Sequence, residues 1–381
     1  MKKIVAIHLL NDFSGSPLVL SQILQAQVEK GVAVDIFTAG NEGFLSNVSG
    51  AKKLTMRYSR SRNRYLTLIS YFFSQLVLFF QLLKYRKSDA VFYINTLLPF
   101  GGAMAAWLMG KKLIYHVHET SIRPRLLKQF LKMIVSFTAH DVIYVSRYLQ
   151  LQERIKGPVN HLIYNALSPR FISQVNNSEI SPRATENFTA VMLCSLKAYK
   201  GVHEMVELAK ITPEVQFLLV LNASQPEIDG YFYQAQLPAN LEILSSQKDV
   251  HPIYREASVV LNLSRTNEWV ETFGMTILEG MYYRLPAIVP PVGGITELVE
   301  DGVNGFKIAS DNISAISNKL KQMQTNQTFY RKLAENALAK TDDFSFFSQV
   351  RAIEKVLFQA EYCQKMNDMQ KEERLYLMAE S

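Results

Sequence analysis

Residues 271–306 read "ETFGMTILEGMYYRLPAIVPPVGGITELVEDGVNGF", and this stretch decides the fold. From Met275 to Arg284 the apolar residues recur at helical spacing, and "PAIVP" (286–290) is a short apolar run bounded by prolines. The preceding "SVVLNLS" (258–264) is a strand of the same near-continuous apolar kind. Strand, helix and strand of this type form a parallel unit whose strands are buried on both faces. Two carboxylates, Glu271 and Glu279, stand eight residues apart around Phe273-Gly274. Glu271 falls in the loop after a strand and Glu279 in the second turn of the helix.

The same alternation extends outward. Strands are expected at "TAVMLCS" (189–195), "QFLLVL" (216–221) and "LEILS" (241–245), with helices over 201–211, 275–284 and near 311–340. Toward the N-terminus, "IVAIHLL", "AVDIFTA", "DAVFYIN", "KLIYHVHE" and "DVIYVS" alternate with helical runs. Between the blocks, residues 166–188 hold Pro, Ser and Asn with weak periodicity and are expected to be a linker. The fold class is α/β: two Rossmann-like domains with parallel sheets facing a cleft. The expected boundaries are 1–165, a linker over 166–188, 189–345, and a C-terminal helix within 346–381.

Composition limits the function. Of 381 residues 48% are hydrophobic, enough for two packed cores. Two cysteines, Cys194 and Cys363, form no disulfide framework and point to a reducing compartment. Charge is uneven: residues 1–165 carry 21 Lys+Arg against 8 Asp+Glu, +13, and the remainder carries 20 against 26, −6. The basic half predicts an anionic partner: a membrane surface, nucleic acid or a phosphorylated substrate. "MKKIVAIHLLNDF" begins like a signal peptide, but the apolar run is short and no cleavage site follows, so a first strand is expected. Residues 65–83 carry no charge and are long enough to span a bilayer. They also hold Thr67, Ser70, Ser74, Gln75 and Gln81, lie between two strands, and have basic flanks on both sides (Arg60, Arg62, Arg64; Lys84, Arg86, Lys87). A crossover helix is the expectation.

In doubly wound sheets ligands bind beyond the carboxyl ends of the strands. After the first strand, Gly15 permits close backbone approach and Ser16-Pro17 reads as a helix cap and first turn. No G-x-G-x-x-G fingerprint is present. "YHVHETSIRP" places His116 and His118 on one side of a strand, with Glu119 beside them. A metal site there lacks a well-spaced third ligand, so His118 facing the cleft and His116 buried is the expectation. Lys200-Gly201 opens a helix, where a lysine neutralises phosphate, and Lys197 lies one turn earlier. The amides of Phe273, Gly274 and Met275 at the next helix start suit a diphosphate, and Glu279 suits a ribose diol. Two acids holding two hydroxylated groups, with a diphosphate between, describe a nucleotide sugar.

The stretch "ETFGMTILEG" followed by "LPAIVPPVGGITELVEDGVNGF" resembles the E-x7-E signature of retaining GT-B glycosyltransferases, family four. "SGSPLVL", "HVHE", "VIYVSRYL", "LIYNAL" and "LKAYKGV" echo other segments of that family. The resemblance implies a retaining, metal-independent transferase with no cofactor beyond its nucleotide-sugar co-substrate, UDP- or GDP-linked. It assigns Glu271 to the donor sugar, Glu279 to the ribose, Lys200 to the leaving diphosphate with Gly15 close by, and His118 to the sugar. The arginine usual five residues before this lysine is Ser195 here, and Lys197 is the nearby cation. The expected acceptor is a glycan or lipid-linked glycan of bacterial surface-polysaccharide or lipopolysaccharide synthesis. The expected location is cytoplasmic, peripheral on the inner membrane face, with no nucleic-acid partner. The alternatives are a sugar-nucleotide epimerase or phosphorylase on the same plan, or a weak or inactive nucleotide-sugar-binding homologue.

Overall fold

The computed structural model describes residues 2–40, 42–59, 61, 63–176 and 188–358. The expectations for Cys363, Arg60, Arg62, residues 177–187 and the C-terminal helix beyond 358 lie outside those residues.

The first domain is built on seven strands: β1 (Lys3–Leu10), β2 (Ala33–Ala39), β3 (Lys52–Thr55), β4 (Ala90–Asn95), β5 (Leu113–Val117), β6 (Asp141–Tyr144) and β7 (Val159–Leu162). Its helices are α1 (Gly15–Glu29), α2 (Arg64–Leu82), α3 (Phe100–Leu108), α4 (Arg125–Thr138), α5 (Arg147–Glu153) and α6 (Pro169–Asn176). The sheet order is β3-β2-β1-β4-β5-β6-β7 and every pairing is parallel. Ile4, Val5 and Ile7 of β1 are fully buried because helices cover both faces; each such side chain contributes roughly 1.5–3 kcal/mol.

The second domain repeats the plan with β8 (Thr189–Ser195), β9 (Gln216–Asn222), β10 (Leu241–Leu244), β11 (Val259–Leu261), β12 (Ala287–Val289) and β13 (Gly305–Lys307), in the order β10-β9-β8-β11-β12-β13. Its helices are α7 (Val202–Ile211), α8 (Gln225–Tyr231), α9 (His251–Glu256), α10 (Met275–Tyr282), α11 (Ile313–Thr325) and α12 (Gln327–Lys340). The last described helix, α13 (Phe346–Leu357), returns to the first domain. There Phe346 and Val350 pack with Ala26 and Ala166, and Gln27 and Lys30 bond to Glu354.

In each sheet the strand order reverses beside the first strand, between β1 and β4 and between β8 and β11. These are the switch points at which α/β sheets open a crevice.

One local expectation is corrected, and two elements were not foreseen. The helix after β1 starts at Gly15 with Ser14 at its N-cap, so Ser16 lies inside the first turn and caps nothing. Ser14 is held by Asp12 instead, through its amide at 3.0 Å and its hydroxyl. The segment read as linker from 166 contains α6, whose Phe171 ring stacks 4.4 Å from His251 and whose Val175 is buried. The short edge strand β3, "KKLT", escaped the apolar criterion because it is largely exposed.

Candidate active site

The charged part of the site is built at the β8–β11 switch point. After β8 a single helical turn carries Lys200 and ends at Gly201, whose φ is +87°. A Cβ on Gly201 would lie 2.2 Å from the Leu263 carbonyl oxygen, so only glycine lets this turn press against the loop after β11. Lys200 Nζ reaches Glu271 Oε1 at 2.5 Å, and Ser264 Oγ donates to the same oxygen at 3.0 Å. The ammonium also sits 4.6 Å above the Trp269 ring, which stacks on Tyr199. Burial pushes the Glu271 carboxyl up, but the Lys200 charge and hydrogen bonds from Lys200, Ser264 and Asn262 outweigh it and hold it below its ordinary value. Lys200 and Glu271 are therefore a mostly buried ion pair at the mouth of the sheet.

Glu279 projects from α10. It is buried, accepts a hydrogen bond from the Tyr254 hydroxyl at 2.6 Å, and burial raises its carboxyl to about 7. The first amides of a helix have no intrahelical acceptor, so Gly274 at the N-cap and Met275 at the first position present donors. Phe273 contributes only backbone here. Its ring is 2% exposed and packs 5.6 Å from Phe344. The start of α10 faces the start of α1, where a Cβ on Gly15 would lie 3.8 Å from Met275 Cγ. Lys197 is exposed, and its charge acts on Glu227 at the start of α8, away from the Lys200–Glu271 pair.

The first domain contributes a neutral cluster at the β1–β4 switch point. His118 Nε2 lies 2.9 Å from Asn95 Oδ1. Asn95 is fully buried; its Nδ2 donates to the Ser16 carbonyl at 3.2 Å and meets His8 Nδ1 at 3.1 Å. Because Nδ2 faces the Ser16 carbonyl, Oδ1 accepts the Nε2 proton of His118 and leaves His118 Nδ1 as the acceptor. Burial, with the neighbouring His116 and His8 adding to it, lowers His118 well below the ordinary histidine range, so the ring is neutral. His116 is also buried and lowered to about 3, with Nδ1 on the Tyr93 hydroxyl at 2.8 Å and Nε2 unpartnered. Glu119 accepts the amides of Leu97 at 3.0 Å and His118 at 3.1 Å, and burial raises its carboxyl to about 7 despite them. Thr96 between Asn95 and Leu97 has φ +75°, a costly conformation for a β-branched residue that these bonds hold in place. Among the described residues no group of three or more His, Cys, Asp and Glu is placed to hold a metal ion.

Glu297 joins the domains. It lies in the short helical turn after Gly293-Gly294 and accepts the first amides of α5, from Arg147 at 3.0 Å and Tyr148 at 2.8 Å, and the Tyr164 hydroxyl at 2.8 Å. The Gly-Gly pair makes this possible. A Cβ on Gly294 would stand 1.9 Å from the Thr272 carbonyl oxygen, and the Gly294 amide donates to the Glu271 carbonyl at 2.8 Å. The sequence alone assigned no role to Glu297, Asn95 or Tyr254. For Asn95 a signal existed: a polar residue ending an apolar strand.

Known proteins resemble this chain in both sequence and fold. The model for glycosyl transferases group 1 matches residues 173–340, and the model for glycosyltransferase family 4 matches residues 13–167. A protein of Methanocaldococcus jannaschii named uncharacterized glycosyltransferase MJ1178 is 27% identical over 220 residues, 56% of this chain and 58% of that protein. The Staphylococcus aureus capsular polysaccharide biosynthesis glycosyltransferase CapM is 22% identical over 188 residues, 46% and 48% of the two chains. The chain thus spans about half the length of these curated relatives. The crystal structure of Anabaena Alr3699/HepE in complex with UDP and glucose superposes with a TM-score of 0.75 at 20% identity, covering 93% of this chain and 98% of that one. With both halves matched in order along two doubly wound domains, the chain belongs to the group 1 glycosyltransferases and has the GT-B fold.

Proposed function

We propose that the protein transfers a sugar from a UDP- or GDP-linked donor to a hydroxyl of a glycan or lipid-linked acceptor, with retention at the anomeric carbon. The Lys200–Glu271 pair carries this reading, because it stands where the starts of α1 and α10 face each other. The diphosphate lies against the amides of Gly274 and Met275 and the backbone of Gly15 and Ser16, with Lys200 turning from Glu271 toward it. Glu271, released from Lys200, accepts from the donor sugar's hydroxyls, and Glu279 accepts from the ribose diol. Neutral His118 offers its Nδ1 to a sugar hydroxyl.

In the reaction the C1–O bond to the diphosphate breaks and its electron pair stays on the departing phosphate oxygen. The acceptor oxygen bonds to C1 from that same face, and its proton passes to the departing oxygen. Lys200 and the helix starts stabilise the growing negative charge, a task they perform without a divalent ion. The UDP and glucose in the Anabaena complex support a nucleotide-sugar donor, and the name of CapM supports a polysaccharide acceptor. The +13 charge of the first 165 residues supports work at the anionic inner face of the membrane, from the cytoplasm.

A panel of nucleoside diphosphates is the test. UDP or GDP is expected to raise the melting temperature, and Glu279→Ala to weaken that nucleotide about 10- to 100-fold, the cost of lost hydrogen bonds to a charged group. A nucleotide lacking both ribose hydroxyls should bind the parent and the variant equally. Equal binding of the intact nucleotide to both proteins rejects the ribose assignment. Product with inverted configuration rejects the mechanism, and activity abolished by EDTA and restored by magnesium rejects the metal-free site.

A further inference from the structure

Helix α2 is amphipathic in the inverse sense. Its sheet-facing side carries polar side chains among the apolar ones. Ser74 and Gln75 are buried, Gln75 Oε1 accepts the Gly101 amide at 3.1 Å, and the Tyr71 hydroxyl donates to the Leu98 carbonyl at 2.5 Å. Its outer side carries Leu66, Ile69, Phe73, Leu76 and Phe80, spaced by three and four residues and each more than half exposed. An outward apolar stripe of this length is not a solvated surface.

The stripe continues sideways. Phe72 of α2 touches Phe100 of α3 and Phe130 of α4, at centroid distances of 5.7 and 6.3 Å. Trp107 of α3 and Phe137 of α4 are both exposed and lie 5.0 Å apart. The sequences of α2, α3 and α4 contain no Asp or Glu. Exposed basic residues stand at both ends: Lys84, Arg86 and Lys87 after α2, and Arg123 and Arg125 at the start of α4. Lys128 and Lys132 do not add to this rim, since both pair with Glu153 at 2.5 and 3.2 Å.

From this we infer that the outer face of α2, with the exposed edges of α3 and α4, lies in the plane of an anionic lipid surface and buries its apolar side chains at the acyl boundary. The basic ends meet the headgroups. A bilayer-spanning role conflicts with the buried side of α2, which holds Tyr71, Leu78 and Leu82 against the protein's own core. A second copy of the chain is the weaker occupant, because that contact would bring two halves of +13 together across helices that carry no acid. The face also borders the cleft. The β5–α4 loop that begins with His118 and Glu119 leads directly into α4, so an acceptor anchored in the same lipid enters beside the neutral cluster.

This inference rests on the inner-membrane reading above and is independent of the transfer chemistry. The test mixes the full chain with vesicles of phosphatidylcholine alone, or of equal parts phosphatidylcholine and phosphatidylglycerol, and follows sedimentation and Trp fluorescence. Binding to the anionic vesicles is expected to persist in about 1 M salt, where the Debye length is about 3 Å. Trp107 should shift to the blue and be quenched by lipids brominated along the acyl chain. The triple variant Phe73→Ser/Leu76→Ser/Phe80→Ser should bind at least about tenfold more weakly, having lost three apolar anchors. The single variant Phe73→Ser, and nucleotide-dependent melting of each variant, separate lost anchoring from lost folding. Binding that salt removes and the triple variant retains overturns the inference while leaving electrostatic adsorption standing. Vesicles ignored under all conditions overturn both, and a dimer that the triple variant dissociates assigns the face to a second copy.

Discussion

The two switch points face each other across one cleft and use opposite electrostatics. In the second domain the β8–β11 crevice holds an ion pair, Lys200 with Glu271, whose charges are sustained by each other and by Ser264. In the first domain the β1–β4 crevice holds His8, Asn95, His116 and His118, and burial lowers each of the three histidines. A site that stabilises a departing diphosphate needs cations and can organise them with carboxylates. A site that positions a sugar needs groups of fixed direction, and a neutral histidine whose proton is held by an asparagine supplies an acceptor, Nδ1.

Lys200→Ala breaks the charged half. Turnover should fall about 100- to 1000-fold, the scale set by removing one charge-stabilising donor, while nucleotide affinity falls much less. Comparing kcat with nucleotide Kd decides it, and weakened nucleotide binding with kcat unchanged would make Lys200 a ground-state binding group only. Asn95→Ala breaks the neutral half. It strands the His118 Nε2–H donor and the Ser16 carbonyl acceptor and should lower stability by about 1–3 kcal/mol, with His118 losing its fixed proton position. Melting curves read the first effect, and nitrogen-15 shifts of the His118 ring read the second, a mixture of tautomers being expected only in the variant.

A gentler probe uses Glu119, whose carboxyl is raised to about 7 in the folded protein. The folded state keeps this proton to higher pH than the unfolded chain does. Stability from this group is therefore present at low pH and lost as pH rises from the ordinary carboxylate range to about 7. Glu119→Gln should remove that fall, at most about 1.4 kcal/mol per pH unit, leaving the parallel contribution of Glu279. Denaturant titrations between those limits measure the slope, and an unchanged slope rejects the assignment. The smallest effect is expected for Lys197→Ala. This residue is exposed, so donor affinity should change by less than about threefold; a loss comparable to that of Lys200→Ala would show that it fills the place of the arginine absent at Ser195.

Much of this was legible in the chain. Apolar runs marked most strands because parallel strands are buried on both faces, and the spacing of Glu271, Gly274 and Glu279 placed those residues at one helix start. Elements whose stability comes from elsewhere were not legible. The strand β3 is an exposed edge containing two lysines, and α6 carries Phe171, whose ring meets His251 and Tyr283 of the other domain. The neutral cluster was half visible: His118 stood at a strand end, but its partner Asn95 is 23 residues earlier, on a strand made adjacent only by the crossover. Glu297 is farther still, 150 residues from the Arg147 amide it accepts. The cap at Ser14 in place of Ser16 is a two-residue error between serines flanking one glycine.

The placement of Glu297 also determines how the two halves can move. The chain passes between domains after β7 and again before α13, and residues of both passages, Tyr164 and Phe344, meet edge to face at 5.3 Å. Tyr164 also donates to Glu297, so both covalent crossings and the polar clasp converge on one corner. On the far side of the cleft the contacts are slight, such as Asn222 to the Phe13 carbonyl at 3.5 Å. A body fastened at one corner and loose at the opposite edge works like a pair of pliers. The jaws swing through the largest arc at the edge farthest from the rivet, while the groups nearest the rivet hardly separate. Opening would therefore draw Phe13 away from Asn222 long before it parted Glu297 from α5.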